Sequence, residues 1–178
     1  VGRTSMIRKL FLLIVLHLIP LCVLAQGNPL VHIPITELLQ YQVQKGKHNA
    51  TPYSFSKYGL RQIRTELVVN ASDSRQLWGW HVTPNTDFVQ SRQPLYRIFS
   101  KVDNSSIAVI DDKVGTLQII FWDKAYYLYF AKDLRSHDFY LHPKKPSQNI
   151  LCFLRKDCSV GVDVTVWVDM YVVSFFYI

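Results

Sequence analysis

A strict alternation of residue types across positions 160–172 constrains the fold of this chain more than any other feature. Every even position from 160 to 172 is apolar, whereas positions 161–169 carry glycine, aspartate, threonine and tryptophan at the odd numbers. Successive side chains of a strand point to opposite faces, so the segment predicts a half-buried strand or a hairpin. A membrane helix is disfavoured, because Asp163 and Asp169 would each cost about 2.5–3.5 kcal/mol near mid-membrane.

Most of the chain beyond residue 53 has the same β character in shorter segments. These segments are rich in valine, isoleucine and aromatic residues and are separated by turn residues, with a spacing of about 10 residues. The predicted strands are 63–69, 76–82, 94–101, 106–111, 116–122, 125–131, 139–142, 150–155 and 160–172. One helix is expected at 35–43, where apolar residues recur near the helical period.

The pattern favours the all-β class, and we expect a single small antiparallel barrel with one short N-terminal helix. Residues 26–52 form the lead-in that contains the helix, and residues 53–178 form the barrel domain. The alternation is lost beyond residue 171, and the final apolar run has no polar tail. We interpret this as a chain that is truncated at the C-terminus.

Residues 1–25 have the composition of a secretory signal peptide. Met6 is followed by the basic Arg8 and Lys9, and residues 10–24 are almost wholly apolar. Val23 and Ala25 occupy the positions that signal peptidase recognises, which predicts cleavage before residue 26. The apolar run is shorter than the roughly 20 residues that a membrane span needs. We therefore expect a secreted, extracellular protein without a membrane span in the mature chain, and we interpret residues 1–5 as upstream translation.

Removal of the signal peptide lowers the charge of the chain. Three basic residues leave with it, so 17 basic residues face 13 acidic ones and the net charge falls from +7 to +4. A nucleic-acid-binding protein needs a clustered basic face, so this balance excludes nucleic acid as a partner.

Three sequons are consistent with export. They place candidate N-glycosylation sites at Asn49, Asn70 and Asn104, each of which predicts an exposed loop or turn. Pro52 directly follows the first sequon, so we expect Asn70 and Asn104 to be used.

Two cysteines, Cys152 and Cys158, remain after the signal peptide is removed. Along one extended strand their Cα atoms would be roughly 20 Å apart, whereas a disulfide requires about 4.4–6.8 Å. The two can form a disulfide only if residues 155–157 make a tight turn. Otherwise each thiol would need a partner that this sequence lacks.

The sequence lacks the usual patterns of catalytic residues. It contains no Gly-x-Ser-x-Gly motif and no glycine-rich phosphate loop. A zinc site built from His81, His137 and Asp138 would have no recognised ligand spacing, so we expect solvated or hydrogen-bonded histidines. We predict that the protein is not an enzyme and has no metal or cofactor.

Aromatic residues within the predicted strands favour a ligand site. Trp78 and Trp80 share one parity, as do Tyr127 and Tyr129, so the members of each pair are expected on one face. In a small barrel such a face is either packed core or the lining of an apolar cavity. These four residues are the candidate ligand-binding residues.

A basic cluster offers a second candidate surface. Lys132, Arg135, Lys144 and Lys145 lie in a stretch that could bind sulfated glycans outside the cell. The alternative is a solvated loop between two strands.

Local similarities connect these features to two secreted β families. Residues 63–66 (IRTE) and 77–79 (LWG) resemble the first strand and turn of the divergent lipocalins of arthropod saliva. Residues 156–160 (KDCSV) and 165–168 (TVWV) resemble the late strands of that family. The resemblance implies a barrel that sequesters a small amine or lipid. The early cysteine, the usual disulfide partners and the C-terminal helix of the family are missing.

Residues 126–130 (YYLYF) and 151–153 (LCF) are similar to a strand-turn-strand segment of β-trefoils of the fibroblast-growth-factor type. That resemblance implies that residues 132–145 face glycans, although the turn glycine after Phe130 is absent. Our expectation is a secreted glycoprotein that sequesters a small amine or lipid in a barrel cavity. The alternative is a heparin-binding, growth-factor-like signalling protein.

Overall fold

The computed structural model describes residues 32–47, 55–63, 75–84, 94–112, 115–143 and 147–178. The predicted signal peptide, two of the sequon asparagines and two of the candidate lysines lie outside these residues: Asn49, Asn70, Lys144 and Lys145. No helix within the described ranges is long and apolar enough to cross a membrane.

Helix α1 (Ile35–Gly46) confirms the predicted N-terminal helix. Pro34 precedes its first turn, where a missing backbone N–H costs nothing. Ile35, Leu38 and Leu39 are buried, as the spacing of apolar residues predicts. The helix therefore covers part of the core.

A second helix, α2 (Lys124–Ser136), lies where a strand was predicted at 125–131, and that prediction is wrong. The Asp123 carboxylate accepts a hydrogen bond from the backbone N–H of Tyr126 at 3.0 Å and caps the first turn. Tyr126, Phe130 and Leu134 recur every four residues and are all buried. Burial of this stripe outweighs the β propensity of the tyrosine-rich sequence.

Ten strands occur among the described residues, and eight of them form one antiparallel sheet. Their order across this sheet is β1-β2-β5-β6-β10-β9-β8-β7, while β3 and β4 pair separately. The strands are β1 (Arg61–Ile63), β2 (Arg75–Trp80), β3 (Val82–Pro84), β4 (Phe99–Lys101), β5 (Ile107–Asp112), β6 (Leu117–Phe121), β7 (Tyr140–Leu141), β8 (Ile150–Leu154), β9 (Val160–Val166) and β10 (Tyr171–Tyr177).

The prediction of a mostly-β chain with an antiparallel sheet is thus confirmed, but a closed barrel is not found among the described residues. Strands β1 and β7 are the two edges of the sheet and do not pair with each other. Part of the predicted strand at 94–101 is instead a 3-10 turn, Leu95–Ile98.

The alternating segment at 160–172 forms a hairpin, the second of its two predicted alternatives. Residues along β9 pair with β10 from Tyr171 opposite Val166 to Tyr177 opposite Val160. Strand β10 also pairs with β6, so it lies inside the sheet and not at an edge. This position explains why the alternation is lost beyond residue 171, because an interior strand can be buried on both faces.

The two faces of the sheet pack against different partners. On one face α2 lies over the sheet, and Phe121 is 4.5 Å from Tyr126 and 6.0 Å from Phe130 between ring centroids. The other face carries a separate apolar cluster that includes Leu77, Ile120 and Val172; these residues are buried, because the β4 region packs on them through Ile98 and Phe99 and leaves only part of the face uncovered. We call these the helix face and the open face.

Candidate functional site

A groove of about 550 Å³ lies on the open face near the turn between β9 and β10. Three segments that are distant in the sequence contribute to it: the β4 region, the residue after β6, and the β9–β10 turn. The side chains along it are mainly aromatic or cationic: Arg97, Phe99, Ser100, Lys101, Trp122, Trp167, Val168, Asp169 and Met170.

The floor of the groove is continuous with the core of the open face. Phe99 and Trp122 are buried members of the apolar cluster, and Trp167 and Met170 pack against it. The Trp167 backbone N–H donates to the Met170 carbonyl at 2.8 Å and closes the turn. A floor held in this way by packed neighbours is pre-formed.

Cationic groups lie above this floor. The Arg97 guanidinium carbon is 4.8 Å from the centroid of the Trp167 ring, which is a cation–π contact. Lys101 is exposed, and Asp169 is the one carboxylate of the lining. The charged side chains of the groove therefore carry a net charge of +1.

The Trp167 indole nitrogen is a further hydrogen-bond donor of the groove region. Its Nε1 atom is buried and has no hydrogen-bond partner among the described residues. Indole, guanidinium and ammonium groups donate hydrogen bonds but do not accept them. Because Nε1 is buried, the side-chain donors that a ligand could reach in the groove are Arg97, Lys101 and the Ser100 hydroxyl, while Asp169 supplies acceptors.

Trp78 and Trp80 share a face, as predicted, but it is the helix face. They lie opposite Val109 and Ile107 in the β2–β5 ladder. Trp78 is buried with its ring 5.8 Å from that of Phe55, and Trp80 stacks on His81 at 4.4 Å. Neither tryptophan lines the groove.

The structure separates Tyr127 and Tyr129, because residues two apart on a helix point in different directions. The Tyr127 ring stacks on Tyr171 at 4.7 Å, whereas Tyr129 is exposed beside His32. Their predicted common face depended on a strand at this position. The four predicted aromatic residues therefore do not converge on one cavity.

The two cysteines in the described part of the chain, Cys152 and Cys158, have free thiols. Cys152 lies on β8 opposite Asp163, and Cys158 follows the turn that contains Asp157. Burial, assisted by a hydrogen bond to Asp163, raises the pKa of the Cys152 thiol to about 11. A thiol with such a pKa is a poor nucleophile at neutral pH.

Of the predicted glycan-related residues, three lie in the described part of the chain. Asn104 is exposed in the turn between β4 and β5. Lys132 and Arg135 are exposed on α2, three residues apart and therefore neighbours on its surface.

A cluster of His81, Asp103 and Ser105 contains the residue types of a hydrolase triad but lacks its geometry. His81 Nδ1 lies 3.1 Å from Asp103 Oδ2 and 3.0 Å from Ser105 Oγ, so one ring nitrogen faces both partners. The Ser105 hydroxyl donates to Asp103 Oδ1 at 2.5 Å. A triad requires the serine and the acid on opposite ring nitrogens, so this cluster holds a turn and does not activate a nucleophile.

The groove residues Arg97, Lys101 and Met170 were not predicted as a site from the sequence. One signal for the groove was available, because Trp167 occupies the polar parity of the alternating segment.

No cluster of histidine, cysteine and acidic residues suitable for a metal was found in the described ranges. No protein-family model, no curated protein and no solved structure matched the chain.

Proposed function

We propose that this protein is a secreted glycoprotein that binds and sequesters a small amphipathic ligand, a lipid with an acidic head group, in the groove of the open face. The observation that supports this most is a single groove that combines the aromatic residues Phe99, Trp122 and Trp167 with the cations Arg97 and Lys101, the former cation lying over the Trp167 ring. Of the two ligand classes that the sequence suggested, this chemistry favours the lipid over the amine.

The apolar part of the ligand would lie against Phe99, Trp122 and Met170. A volume of 550 Å³ falls within the range of about 300–1,000 Å³ that is typical of small-molecule sites. Burial of apolar surface contributes about 25 cal/mol for each Å² removed from water. An alkyl chain on this floor would therefore supply most of the binding free energy.

The acidic end of the ligand would lie between Arg97 and Lys101. An amine in the same position would meet two cations and the single carboxylate of Asp169. Since both cations are partly or fully exposed, each contributes at most about 1 kcal/mol to this preference. The preference is therefore expected to be modest but measurable.

The proposal does not require a closed barrel, which stays a prediction. Export and glycosylation likewise remain predictions from the sequence. The groove needs only the packing of the turn at 167–170, Trp122 and the β4 region against one another.

Native mass spectrometry of the mature chain with dodecanoate, dodecanol and dodecylamine tests the proposal. The three compounds share one alkyl chain and differ only in head group. We expect complexes that decrease in abundance in that order. Binding of none of them, or strongest binding of the amine, would contradict the proposed ligand class.

A second candidate function is the binding of sulfated glycans by a signalling protein. The observation that favours it is the pair of exposed cations on α2, Lys132 and Arg135. Elution from heparin at a salt concentration that falls in a variant with both residues changed to alanine would support it. Elution that does not depend on the two residues would exclude this surface.

A further inference from the structure

The turn between β4 and β5 contains the sequon 104–106 in a geometry that presents the asparagine and hides the hydroxyl. Asn104 is exposed to solvent, whereas Ser106 is 0% exposed. The two residues that an N-glycosylation sequon requires are therefore in opposite environments.

The Ser106 hydroxyl is fully engaged in hydrogen bonds. It donates to the His81 carbonyl at 2.5 Å and accepts from the backbone N–H groups of Val102 and Asp103 at 3.1 and 3.2 Å. A hydroxyl has one donor and two acceptor positions, and all three are used here. The Ser106 hydroxyl therefore has no free hydrogen-bonding position for the glycosylating enzyme, which must bind this hydroxyl.

Other contacts hold the turn closed. Asp103 Oδ1 accepts from the backbone N–H of Ser105 at 2.9 Å, and Asp103 Oδ2 lies 3.1 Å from His81 Nδ1. The Val102 N–H also donates to the His81 carbonyl at 3.0 Å. Exposure of Ser106 would therefore break several contacts at once.

We propose that Asn104 accepts an N-linked glycan only while this turn is unfolded, so that glycan addition precedes closure of the turn and the folded domain is not a substrate. N-glycosylation depends on the asparagine together with the hydroxyl two residues later. Once the turn is closed, the exposed Asn104 side chain can project a glycan into solvent. The inference rests on the export part of the proposed function.

The test uses purified oligosaccharyltransferase, a lipid-linked oligosaccharide donor, and the mature chain produced without glycans. Occupancy of Asn104 is followed by mass spectrometry on the folded chain and on a peptide that covers residues 98–108. We expect the peptide to be modified about tenfold faster or more, the ratio reflecting the free energy of local opening. Equal rates would overturn the proposal, as would failure of the peptide to be modified.

An Asp103→Ala variant sharpens this test, because it keeps the sequon but removes the three side-chain contacts of Asp103 with Ser105 and His81. We expect the folded variant to be modified faster than the folded wild-type chain, while the corresponding peptides react alike. An unchanged rate in the folded variant would contradict the role of the closed turn.

Asn104→Gln removes the acceptor, so a product that forms in the wild-type chain but not in this variant carries its glycan on Asn104. Since the assay requires neither export nor a ligand, its failure is distinguishable from failure of the proposed function.

Discussion

The helix face and the open face of the sheet differ in where their charged side chains lie. Beneath the helices, the buried Lys45 Nζ lies 2.9 Å from Asp111 Oδ1 and donates to the Asp112 carbonyl at 2.7 Å, while the Tyr41 hydroxyl donates to Asp111 Oδ2 at 2.7 Å. On the open face, the cations of the groove are half-buried at Arg97 and exposed at Lys101. Buried indole nitrogens without a described partner occur on both faces, at Trp78, Trp80 and Trp167. We therefore expect substitutions on the helix face to lower stability and substitutions in the groove of the open face to affect the proposed binding.

The largest effect is expected from a cavity in the helix face. Phe130→Ala removes a ring that is 1% exposed and packs 5.6 Å from Tyr126. We expect a loss of about 3–5 kcal/mol in the free energy of unfolding, measured by urea denaturation. The matched control is Leu128→Ala on the exposed side of the same helix. Similar losses in both variants would mean that α2 does not pack as described.

Disruption of the buried ion pair should have a comparable effect. Asp111→Ala leaves the Lys45 ammonium buried without its carboxylate and removes the acceptor of Tyr41. Removal of one partner of a buried pair typically costs about 3–5 kcal/mol. Urea denaturation would measure this, and a loss below about 1 kcal/mol would show that water reaches the pair.

A substitution in the groove of the open face should weaken ligand binding and change the free energy of unfolding little. Arg97→Ala removes the guanidinium that lies over Trp167 and is expected to weaken dodecanoate binding by up to about fivefold, which corresponds to about 1 kcal/mol for a partly exposed charge. Binding of dodecanol should change little in the same titration. Lys132→Ala is the control for a loss of charge elsewhere. An equal loss for both ligands would indicate damage to the floor instead of loss of a head-group contact.

The smallest effect concerns thiol reactivity. Because the pKa of Cys152 is raised to about 11, its thiolate fraction should increase about tenfold per pH unit between pH 8 and 10. Alkylation of a Cys158→Ser variant, followed by mass spectrometry, isolates this thiol. Rapid alkylation at pH 7 that does not increase with pH would contradict the raised pKa of Cys152.

The elements that could be predicted from the sequence are those specified by local patterns. The alternation at 160–172 predicted a half-buried strand or a hairpin, and the 3.6-residue period predicted helix α1. The continuation of strand β10 to Tyr177 was not predicted. Helix α2 was missed because its tyrosines and phenylalanine favour strands, although the spacing of Tyr126, Phe130 and Leu134 is helical. Its cap, Asp123, was a further signal.

The groove could not be predicted, because its residues come from three separated segments. Arg97 and Trp167 are 70 positions apart and meet only through the way β4 and the β9–β10 turn pack on one face. No spacing rule encodes a contact of that kind. By contrast, the common face of Trp78 and Trp80 is a local property and was predicted, although nothing local indicates which side of the sheet it is.

Calorimetric titration of dodecanoate into the wild-type chain, Trp167→Ala and Tyr129→Ala tests the central claim most directly. The two variants each remove one aromatic ring, the first from the groove and the second from the exposed surface of α2. We predict that binding is lost or strongly weakened in Trp167→Ala and is unchanged in Tyr129→Ala. Unchanged binding in Trp167→Ala, or no binding to the wild-type chain, would contradict the groove as the ligand site.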